Sequence, residues 1–324
     1  MDLVVLLRAG YLAAALAVVV VSVIPALRTR FLAYGPRAAS PSSSVPASVE
    51  EEKQRPGKTA TNIIAHLLDH VATWQVSHSW FSSFYYLSGG LSIAWLISWL
   101  VFPRSGDTAF IMHPRKGSMS VQQVEVAWLM MFAQGMRRLY ECRSLQSASS
   151  STKSIMWIGH WLLGLLFYTA TSMAIWIEGV PTLQSHTLTR ADFSFHAPSL
   201  RTILSVLIFL LASGFQHDCH VYLHDLKNSK AKDDKGSARQ YKLPEHPAFH
   251  SLIAPHYTAE CFIYLSLALV AAPKGAWVNW TLASAVVFVV ANLGITARDT
   301  RQWYHDKFGM KAVEGKWILI PGIY

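Results

Sequence analysis

Long uncharged apolar runs alternate with charged segments over most of the chain. Three runs reach the roughly 18 residues that distinguish a membrane-spanning helix from a buried helix of a soluble protein, and they cover residues 10–27, 84–102 and 276–297. Four weaker runs are short or carry a His or Glu, and they cover residues 121–135, 154–177, 202–215 and 256–272. The pattern predicts an all-α integral membrane protein with a bundle of about seven transmembrane helices, and six or eight also fit it.

The first apolar run is longer than the roughly 7–15 residues of a signal-peptide core, and no convincing cleavage site follows it. We therefore expect a retained transmembrane anchor within residues 1–35. Residues 36–58 are rich in Pro and Ser, which is typical of a flexible linker, and we place a cytosolic linker at 36–77. Residues 78–324 then form the membrane-embedded domain, whose apolar, aromatic end is expected to fold back onto the bundle.

Charge placement predicts which helix ends face the cytosol. Only 15% of the residues are charged, against roughly 25% in soluble proteins. If seven spans alternate, one set of loops with the C-terminal tail holds 21 Lys and Arg residues, and the other set holds 7. Because cytosolic loops collect Lys and Arg, we expect a lumenal N-terminus and a cytosolic C-terminus. The cations form no single basic stripe, which argues against a nucleic-acid partner.

Two further patterns concern covalent processing. Cys142, Cys219 and Cys261 lack the spacing of a zinc site, and their odd number does not favour a disulfide scaffold. Asn279-Trp280-Thr281 matches the N-glycosylation sequon. It lies at the start of a predicted span, too close to the membrane for easy modification.

Polar residues at helical spacing mark two predicted helix ends. Gln216, His220 and His224 follow one another at intervals of four and share a helical face. They form either a polar wall that faces a cofactor or a helix end that faces water. His256 and Glu260 also share a face, and a carboxylate one turn into an apolar helix indicates either a functional cavity or a structural ion pair.

Arg137 and Arg138 follow the third predicted span. Such a pair either anchors the membrane boundary or clamps a phosphate, and Arg137 is also spaced to pair with Glu141. No Rossmann or P-loop segment occurs, so neither of those domains is predicted to hold a nucleotide. Three HxxxH pairs raise the alternative of a di-iron membrane oxygenase, although the HxxHH boxes of such enzymes are missing. Glu125 and His160 are interpreted as packing residues.

The C-terminal third, from about residue 214, resembles the steroid 5α-reductase superfamily. The segments that carry the resemblance are CHVYLHDLK at 219–227, YKLP at 241–244, PHYTAE at 255–260 and WYHDKF at 303–308. Two earlier segments resemble the polyprenol (polyprenal) reductase branch of that superfamily, and they are HSWFSSFY at 78–85 and QGMRRLYEC at 134–142.

The resemblance implies a seven-helix bundle that takes NADPH from the cytosolic side and a hydrophobic substrate from the bilayer. It implies cofactor contacts at Gln216, His220, Tyr241, Lys242, His256, Glu260 and Tyr304, with Arg137 and Arg138 as further candidates near the phosphates. The branch segments add the candidate substrate contacts Trp80, Phe84, Tyr140 and Glu141. No metal is implied.

Two departures from the family pattern affect the expected chemistry. The branch usually has a histidine where this chain has Ser83, and the steroid enzymes carry a catalytic tyrosine near the position of Gly135. The proton donor is therefore expected elsewhere, and the candidates in order are Tyr85, Tyr86 and Tyr140. Glu260 is expected to take part in catalysis.

The expected reaction is the NADPH-dependent reduction of the α-isoprene C=C of a long-chain polyprenal or polyprenol in the endoplasmic reticulum membrane, which yields the dolichol-type product used in protein N-glycosylation. The expected partners are that polyprenyl lipid and the membrane lipids, without nucleic acid. Polyprenal is the favoured substrate, because its carbonyl accepts the negative charge that hydride addition creates. The alternatives are a 3-oxo-5α-steroid 4-dehydrogenase, an enoyl-thioester reductase, the di-iron oxygenase and a non-catalytic receptor or scaffold.

Overall fold

The computed structural model describes residues 2–32, 59–101, 118–145, 155–186, 189, 192, 197–228 and 241–324, and most of them are helical. The helices are α1 (Leu3–Val23), α2 (Pro25–Phe31), α3 (Thr59–Ala72), α4 (Ser82–Val101), α5 (Val121–Ser144), α6 (Ile158–Ile177), α7 (Val180–Ser185), α8 (Leu200–Asn228), α9 (Ala248–Ser251), α10 (Pro255–Val270) and α11 (Trp280–Phe308). The 3₁₀ turns His78–Phe81 and Met310–Ala312 precede α4 and follow α11.

A two-stranded antiparallel sheet joins the segments that precede α4 and α6. Strand β1 (Gln75–Ser77) pairs with β2 (Ile155–Trp157), with Val76 opposite Met156. The all-α prediction missed this sheet, because strands of three residues are too short to produce a period-two pattern. The pairing fixes the start of α4 next to the start of α6.

Within the described ranges, five helices are long and apolar enough to cross a membrane, namely α1, α4 with its preceding 3₁₀ turn, α6, α8 and α11. Two more of the predicted spans also form helices, but α10 has only 16 residues and α5 carries five charged side chains. The first apolar run is divided at Ile24, since Pro25 begins a new helix, where its missing N–H is tolerated. The helical membrane architecture agrees with the sequence pattern, while the number of spans and their orientation remain predictions.

Helix α10 lies in the core of the bundle, where it packs against α8 and α11 and buries Ile263, Leu267 and Ala268 completely. Helix α11 packs along α1, and α4 packs along α5 and α6. Small residues set the distance between α4 and α5, because a Cβ added to Gly135 would stand 3.0 Å from the Oγ of Ser88. These two helices therefore approach each other more closely than larger residues permit.

A buried polar cluster fixes the start of α11. The Asn279 side chain caps this helix by accepting hydrogen bonds from two backbone N–H groups of its first turn. The Thr281 hydroxyl donates to Glu178 at 2.6 Å, and Arg8 contacts both Thr281 and Glu178, at 3.0 and 3.1 Å. Asn279 and Thr281 are completely buried, so the glycosylation sequon is closed in the folded protein.

The C-terminal segment folds back onto α10, as the sequence predicts. The backbone of Trp317 pairs with Ser251 and Ile253 through two hydrogen bonds of 2.9 Å. The Thr258 hydroxyl donates to the carbonyl of Leu319, whose side chain is completely buried. This segment therefore belongs to the packed bundle rather than to a separate tail.

Two predicted boundaries differ from the structure. Residues 36–58 of the predicted linker lie outside the described residues, whereas 59–77 form α3 and β1 rather than an irregular segment. The loop that follows the predicted span at 202–215 begins later than the sequence pattern indicates, because α8 continues to Asn228. No Gly or Pro interrupts the chain between Gln216 and Asn228, so the helix continues after its apolar part ends.

Candidate active site

A cavity of about 240 Å³ lies between α4, α5, α6, α8, α10 and α11. Its polar lining includes Tyr85, Arg138, Gln216, His220 and Glu260, and its apolar lining includes Phe81, Phe84, Leu163, Phe167, Phe288 and Val289. A mostly apolar cavity with a few converging polar groups is the usual form of a small-molecule site. Its volume lies below the roughly 300–1,000 Å³ of a complete ligand pocket, so it accommodates the reacting ends of ligands rather than a whole long-chain molecule.

Behind the polar part of this wall, Glu141 occupies the centre of a buried ion network. The side chain is only 1% exposed, and Arg137 and Arg138 each donate to one of its carboxylate oxygens. The Nδ1 atoms of His217 and His220 lie 2.8 and 2.9 Å from the same two oxygens. These contacts offset the free energy that it would cost to bury the carboxylate without partners. These five residues are called the Glu141 network below.

The Glu141 carboxyl is held in its ionised form by its neighbours. Burial acts to raise its pKa, but the hydrogen bond with His220 and the charges of Arg138 and Arg137 outweigh burial and leave the pKa well below its usual range. Glu141 is not among the residues that line the cavity. Its position therefore favours a role in holding the guanidinium groups of Arg137 and Arg138, rather than the predicted role as a contact of the substrate.

Arg138 connects the Glu141 network with the cavity. Its Nε donates a hydrogen bond of 3.2 Å to the phenol oxygen of Tyr85, and its guanidinium carbon lies 5.2 Å from the centre of the Tyr85 ring. The ring is 3% exposed and packs edge-on against Tyr168, with 5.5 Å between ring centres. Because a cation donates to its oxygen, the Tyr85 O–H is polarised and stays available to donate to a ligand.

A second chain of hydrogen bonds leads from the Glu141 network to Glu260. Arg137 donates to Gln134 at 2.8 Å and also to the side-chain oxygen of Gln216. The Gln216 amide in turn donates to the carboxylate of Glu260 and, at 3.2 Å, to the backbone carbonyl of His256. The hydrogen-bond partner of Glu260 is thus a neutral amide, which does not favour the structural ion pair considered from the sequence.

Several buried polar atoms in this region have no hydrogen-bond partner among the described residues. The nitrogen atoms among them include Nδ1 of His256, Nε2 of Gln134 and Nε of Arg137. Buried polar groups are nearly always hydrogen-bonded, so unused amide, imidazole and guanidinium groups near a cavity indicate a polar ligand. This set of groups fits the amide, hydroxyl and phosphate oxygens of a nicotinamide dinucleotide.

The remaining predicted cofactor residues lie near the C-terminal end of α11. Tyr241 packs edge-on against Trp303, with ring centres 5.1 Å apart, and Tyr304 lies 5.5 Å from Trp303. Lys242, next to Tyr241 in the chain, is exposed. These residues do not line the cavity, so the structure divides the predicted cofactor contacts into a group at the cavity and a group near the surface.

Three further predicted site residues also lie away from the cavity. Tyr86 is 48% exposed and its hydroxyl contacts Arg143. Tyr140 is 66% exposed, and Trp80 is 49% exposed and packs on Trp161. These positions do not favour Tyr86 or Tyr140 as proton donors, whereas the predicted residues Tyr85 and Phe84 do line the cavity.

The two departures from the family pattern have local explanations. Ser83 accepts a hydrogen bond of 2.9 Å from the indole of Trp161 and donates to the carbonyl of Trp80, so it joins α4 to α6. A Cβ at Gly135 would stand 3.0 Å from the Ser88 hydroxyl, so a larger side chain there requires Ser88 to shift. Helix packing therefore does not favour a catalytic tyrosine at position 135, and a hydroxyl that does line the cavity is that of Tyr85 on the neighbouring helix.

Sequence reasoning missed several residues that line the cavity, including His78, His160, Tyr168, Tyr264 and Asn292. The interpretation of His160 as a packing residue is incomplete, because it lies at the cavity wall. Helical spacing could have indicated two of the others, since Tyr264 follows Glu260 by one turn and Tyr168 follows His160 by two.

Metal ligands and disulfides do not contribute to the site within the parts of the chain that are described. There, no three His, Cys, Asp or Glu side chains are grouped so that they could hold a metal ion. The di-iron alternative therefore finds no ligand set in those parts. Cys142, Cys219 and Cys261 are all free thiols.

Several known proteins are similar in sequence to this chain. Residues 165–324 match the family described as 3-oxo-5-alpha-steroid 4-dehydrogenase. Polyprenal reductase of Saccharomyces cerevisiae is 26% identical over 257 residues, which cover 79% of this chain and 78% of that protein. Polyprenal reductase 1 of Oryza sativa is 29% identical over 201 residues, covering 56% of this chain and 53% of its own. Polyprenal reductase of Xenopus laevis is 27% identical over 203 residues, covering 62% and 59%.

Proposed function

Because residues 165–324 carry a domain of the steroid 5α-reductase superfamily, we propose that the chain is a membrane oxidoreductase that reduces the α-isoprene C=C of a long-chain polyprenal. The relatives named polyprenal reductase support this substrate class. The observation that carries the proposal is the Arg138–Tyr85 hydrogen bond at the wall of a mostly apolar cavity.

The proposed chemistry requires a group that stabilises negative charge on the substrate. Hydride addition to the β-carbon of an α,β-unsaturated aldehyde moves that charge to the carbonyl oxygen. The O–H of Tyr85 donates to this oxygen, and Arg138 strengthens the donor because its Nε binds the same phenol oxygen. One such donor contributes roughly 10²–10³ in turnover in known oxyanion holes. The α-carbon then takes a proton from water or from an acid at the wall.

The proposed cofactor is NADPH, which supplies the hydride from its nicotinamide ring when bound. The residues that line the cavity and fit its polar head are Gln216, His220, Glu260 and Arg138. Arg137 and His256 lie behind them and are hydrogen-bonded to Gln216. The unused polar atoms of His256, Gln134 and Arg137 support this assignment. The surface group of Tyr241, Lys242 and Tyr304 suits the outer part of a dinucleotide, where an exposed Lys provides a charge for phosphate.

The apolar lining supports an isoprenoid as the reacting group. Phe84 and Phe288 belong to a cavity wall whose aromatic and aliphatic side chains suit the branched carbon chain of an isoprene unit. The rest of a long lipid exceeds a cavity of about 240 Å³ and extends into the bilayer. An allylic alcohol lacks the carbonyl oxygen that Tyr85 addresses, so polyprenal rather than polyprenol is the immediate substrate.

The proposed location is the endoplasmic reticulum membrane, with the cofactor entering from the cytosol and with a role in forming the dolichol that protein glycosylation uses. Candidate membrane-spanning helices support the membrane part of this proposal. The Lys and Arg distribution supports the orientation.

The direct test is reduction of defined substrates by the purified full-length chain in detergent. Polyprenal, polyprenol, a 3-oxo-Δ4 steroid and an enoyl thioester are each supplied with NADPH or NADH, and the products are identified by mass spectrometry. We expect saturation of the α-isoprene unit of polyprenal with NADPH. Turnover of the steroid or thioester alone would refute the substrate assignment, and equal turnover with NADH would refute the cofactor assignment.

A further inference from the structure

Tyr264 is a buried tyrosine at the cavity, and its hydroxyl lacks a hydrogen bond of normal geometry among the described residues. Its side chain is 1% exposed and lines the cavity that also contains Tyr85 and Glu260. The hydroxyl forms no hydrogen bond of normal geometry with any described residue, although the phenol of Tyr168 lies nearby. Buried hydroxyl groups almost always find a partner, so this exception at a cavity wall points to a ligand that is bound during function.

A second tyrosine of the same bundle shows how the fold satisfies a buried phenol elsewhere. Tyr11 is 4% exposed, and its hydroxyl lies 3.1 Å from the hydroxyl of Thr171. Tyr11 does not line the cavity. Among the described residues, the phenol of Tyr11, which lies away from the cavity, has a hydrogen-bond partner, whereas the phenol of Tyr264, which faces the cavity, has none of normal geometry.

The packing around Tyr264 keeps its ring in place without using its hydroxyl. The ring of Phe167 meets it edge-on with 5.3 Å between centres, and Phe288 lies 5.2 Å from Phe167. These contacts involve only the ring faces and edges. Tyr264 also follows Glu260 by one helical turn on α10, so its place along the cavity is set by the same helix that holds Glu260.

We propose that Tyr264 is a further catalytic residue, a second hydrogen-bond donor to the carbonyl oxygen of an α,β-unsaturated carbonyl substrate. This inference rests on the proposed function for the identity of that substrate. Tyr85 on α4 and Tyr264 on α10 then supply two O–H groups from different helices to one oxygen. Two fixed donors favour the charged state of that oxygen over the neutral carbonyl, which is the condition for catalysis. Tyr264 keeps its own proton throughout.

The test compares Tyr264→Phe with the matched variant Tyr11→Phe. Tyr264→Phe removes an unpaired hydroxyl, so the melting temperature in detergent should stay the same or rise, while kcat for polyprenal falls at least about tenfold. Tyr11→Phe removes a paired hydroxyl, so its melting temperature should fall while activity per folded molecule is retained. If Tyr264→Phe lowered the melting temperature as Tyr11→Phe does and left kcat unchanged, Tyr264 would be structural and the inference would be wrong.

A binding measurement separates this inference from the proposed function. The saturated aldehyde of the same isoprenoid and the corresponding alcohol are compared for the thermal stabilisation that each confers. Wild type should prefer the aldehyde, and Tyr264→Phe should lose that preference. If wild type fails to reduce polyprenal but shows the preference and the variant loses it, the proposed function fails and the carbonyl-binding role of Tyr264 stands. If wild type reduces polyprenal and the variant keeps both the preference and full turnover, the proposed function stands and the carbonyl-binding role of Tyr264 is wrong.

Discussion

Arg138 and Tyr85 are joined by a hydrogen bond of 3.2 Å from a guanidinium Nε to a phenol oxygen, across the contact between α5 and α4. The same guanidinium binds the buried carboxylate of Glu141 through Nη1. A phenol that accepts from a cation and keeps its own O–H is a stronger donor than an isolated tyrosine. The pair therefore connects the charge buried beside the cavity with the group proposed to act on the substrate.

Arg138→Lys should keep a positive charge near Glu141 but lose the fork that contacts Glu141 and Tyr85 together, because Lys is a point charge without a planar guanidinium. We expect kcat for polyprenal to fall at least about tenfold, which corresponds to about 1.4 kcal/mol. Arg143→Lys is the control, since Arg143 contacts the exposed Tyr86, and it should keep near-normal turnover. Equal losses in the two variants would contradict a specific role for Arg138.

Glu141→Gln should destabilise the protein, because it removes the charge that Arg137 and Arg138 share. Removing one partner of a buried ion pair costs about 3–5 kcal/mol. The apparent melting temperature of purified protein in detergent measures this effect. Glu125→Gln is the control, because one oxygen of Glu125 is buried without a partner, and it should have little effect or raise the melting temperature. A harmless Glu141→Gln would show that the network contributes little to stability.

The contribution of Glu141 to the stability of the folded protein should depend on pH in a defined direction. Its pKa in the folded protein lies below the value of about 4.3 expected in the unfolded chain. Its ionisation therefore stabilises the fold above that unfolded pKa, and the stabilisation disappears as the pH falls through the lower folded value. The difference in melting temperature between wild type and Glu141→Gln should stay constant from neutral pH to about pH 5 and shrink in stronger acid.

Glu260→Gln should leave folding intact and reduce activity. The partner of Glu260 is the amide of Gln216, and a neutral amide at position 260 can still bond to it. We expect reductase activity to fall at least about tenfold, roughly the 1.4 kcal/mol of one good charge-assisted hydrogen bond. The double variant Gln216→Glu/Glu260→Gln moves the carboxylate from position 260 to position 216. Its reductase activity tests whether the position of that charge matters. Loss of abundance with normal activity per folded molecule would instead show that Glu260 is structural.

Gly135→Ala should loosen the contact between α4 and α5, because the new Cβ would stand 3.0 Å from the Ser88 hydroxyl. Overpacking of this kind costs about 1–3 kcal/mol. Gly90→Ala is the matched helical control, since no atom lies within 4 Å of a Cβ at that position, and it should be neutral or slightly stabilising. Thermal unfolding in detergent compares the two, and a neutral Gly135→Ala would show that the helices can separate at little cost.

The orientation of the chain predicts which segments a protease reaches. The C-terminus and the segment 216–255 should be accessible on the cytosolic side of sealed microsomes, and the segment 178–200 should be protected until the membrane is opened. The reason is the 21-to-7 division of Lys and Arg between the two sides. Epitope insertion followed by protease digestion measures it. A protected C-terminus would exclude entry of the cofactor from the cytosol by the route proposed above.

Periodicity and charge predicted most of the helices but not how they meet. The runs around α1, α4 and α11 were long enough to be recognised from apolar length alone. The extension of α8 to Asn228 was missed, because loss of hydrophobicity was interpreted as loss of helix. A polar helix end continues wherever no Gly or Pro stops it, so apolar length underestimates helices that leave a membrane.

Four of the predicted site residues come from three different helices and line one cavity, while their roles stay predictions. Tyr85, Gln216, His220 and Glu260 do meet at one cavity. The role of Glu141 in binding Arg137 and Arg138 became clear only from three-dimensional contacts, since i,i+4 spacing suggested only the pair with Arg137. The signal for Tyr264 was its spacing of one helical turn from Glu260, and it was missed because a lone tyrosine in an apolar helix is usually a packing residue.

The burial of Asn279 and Thr281 has a consequence for the maturation of the chain. An oligosaccharyltransferase needs an extended, accessible sequon, and here the Asn279 side chain is occupied in capping α11. Attachment of a glycan is thus possible only before this helix has packed against its neighbours. If the segment faces the lumen as predicted, a glycosylated fraction would report molecules that fold slowly or incorrectly, and variants that weaken the contact of Arg8 with Glu178 should enlarge that fraction.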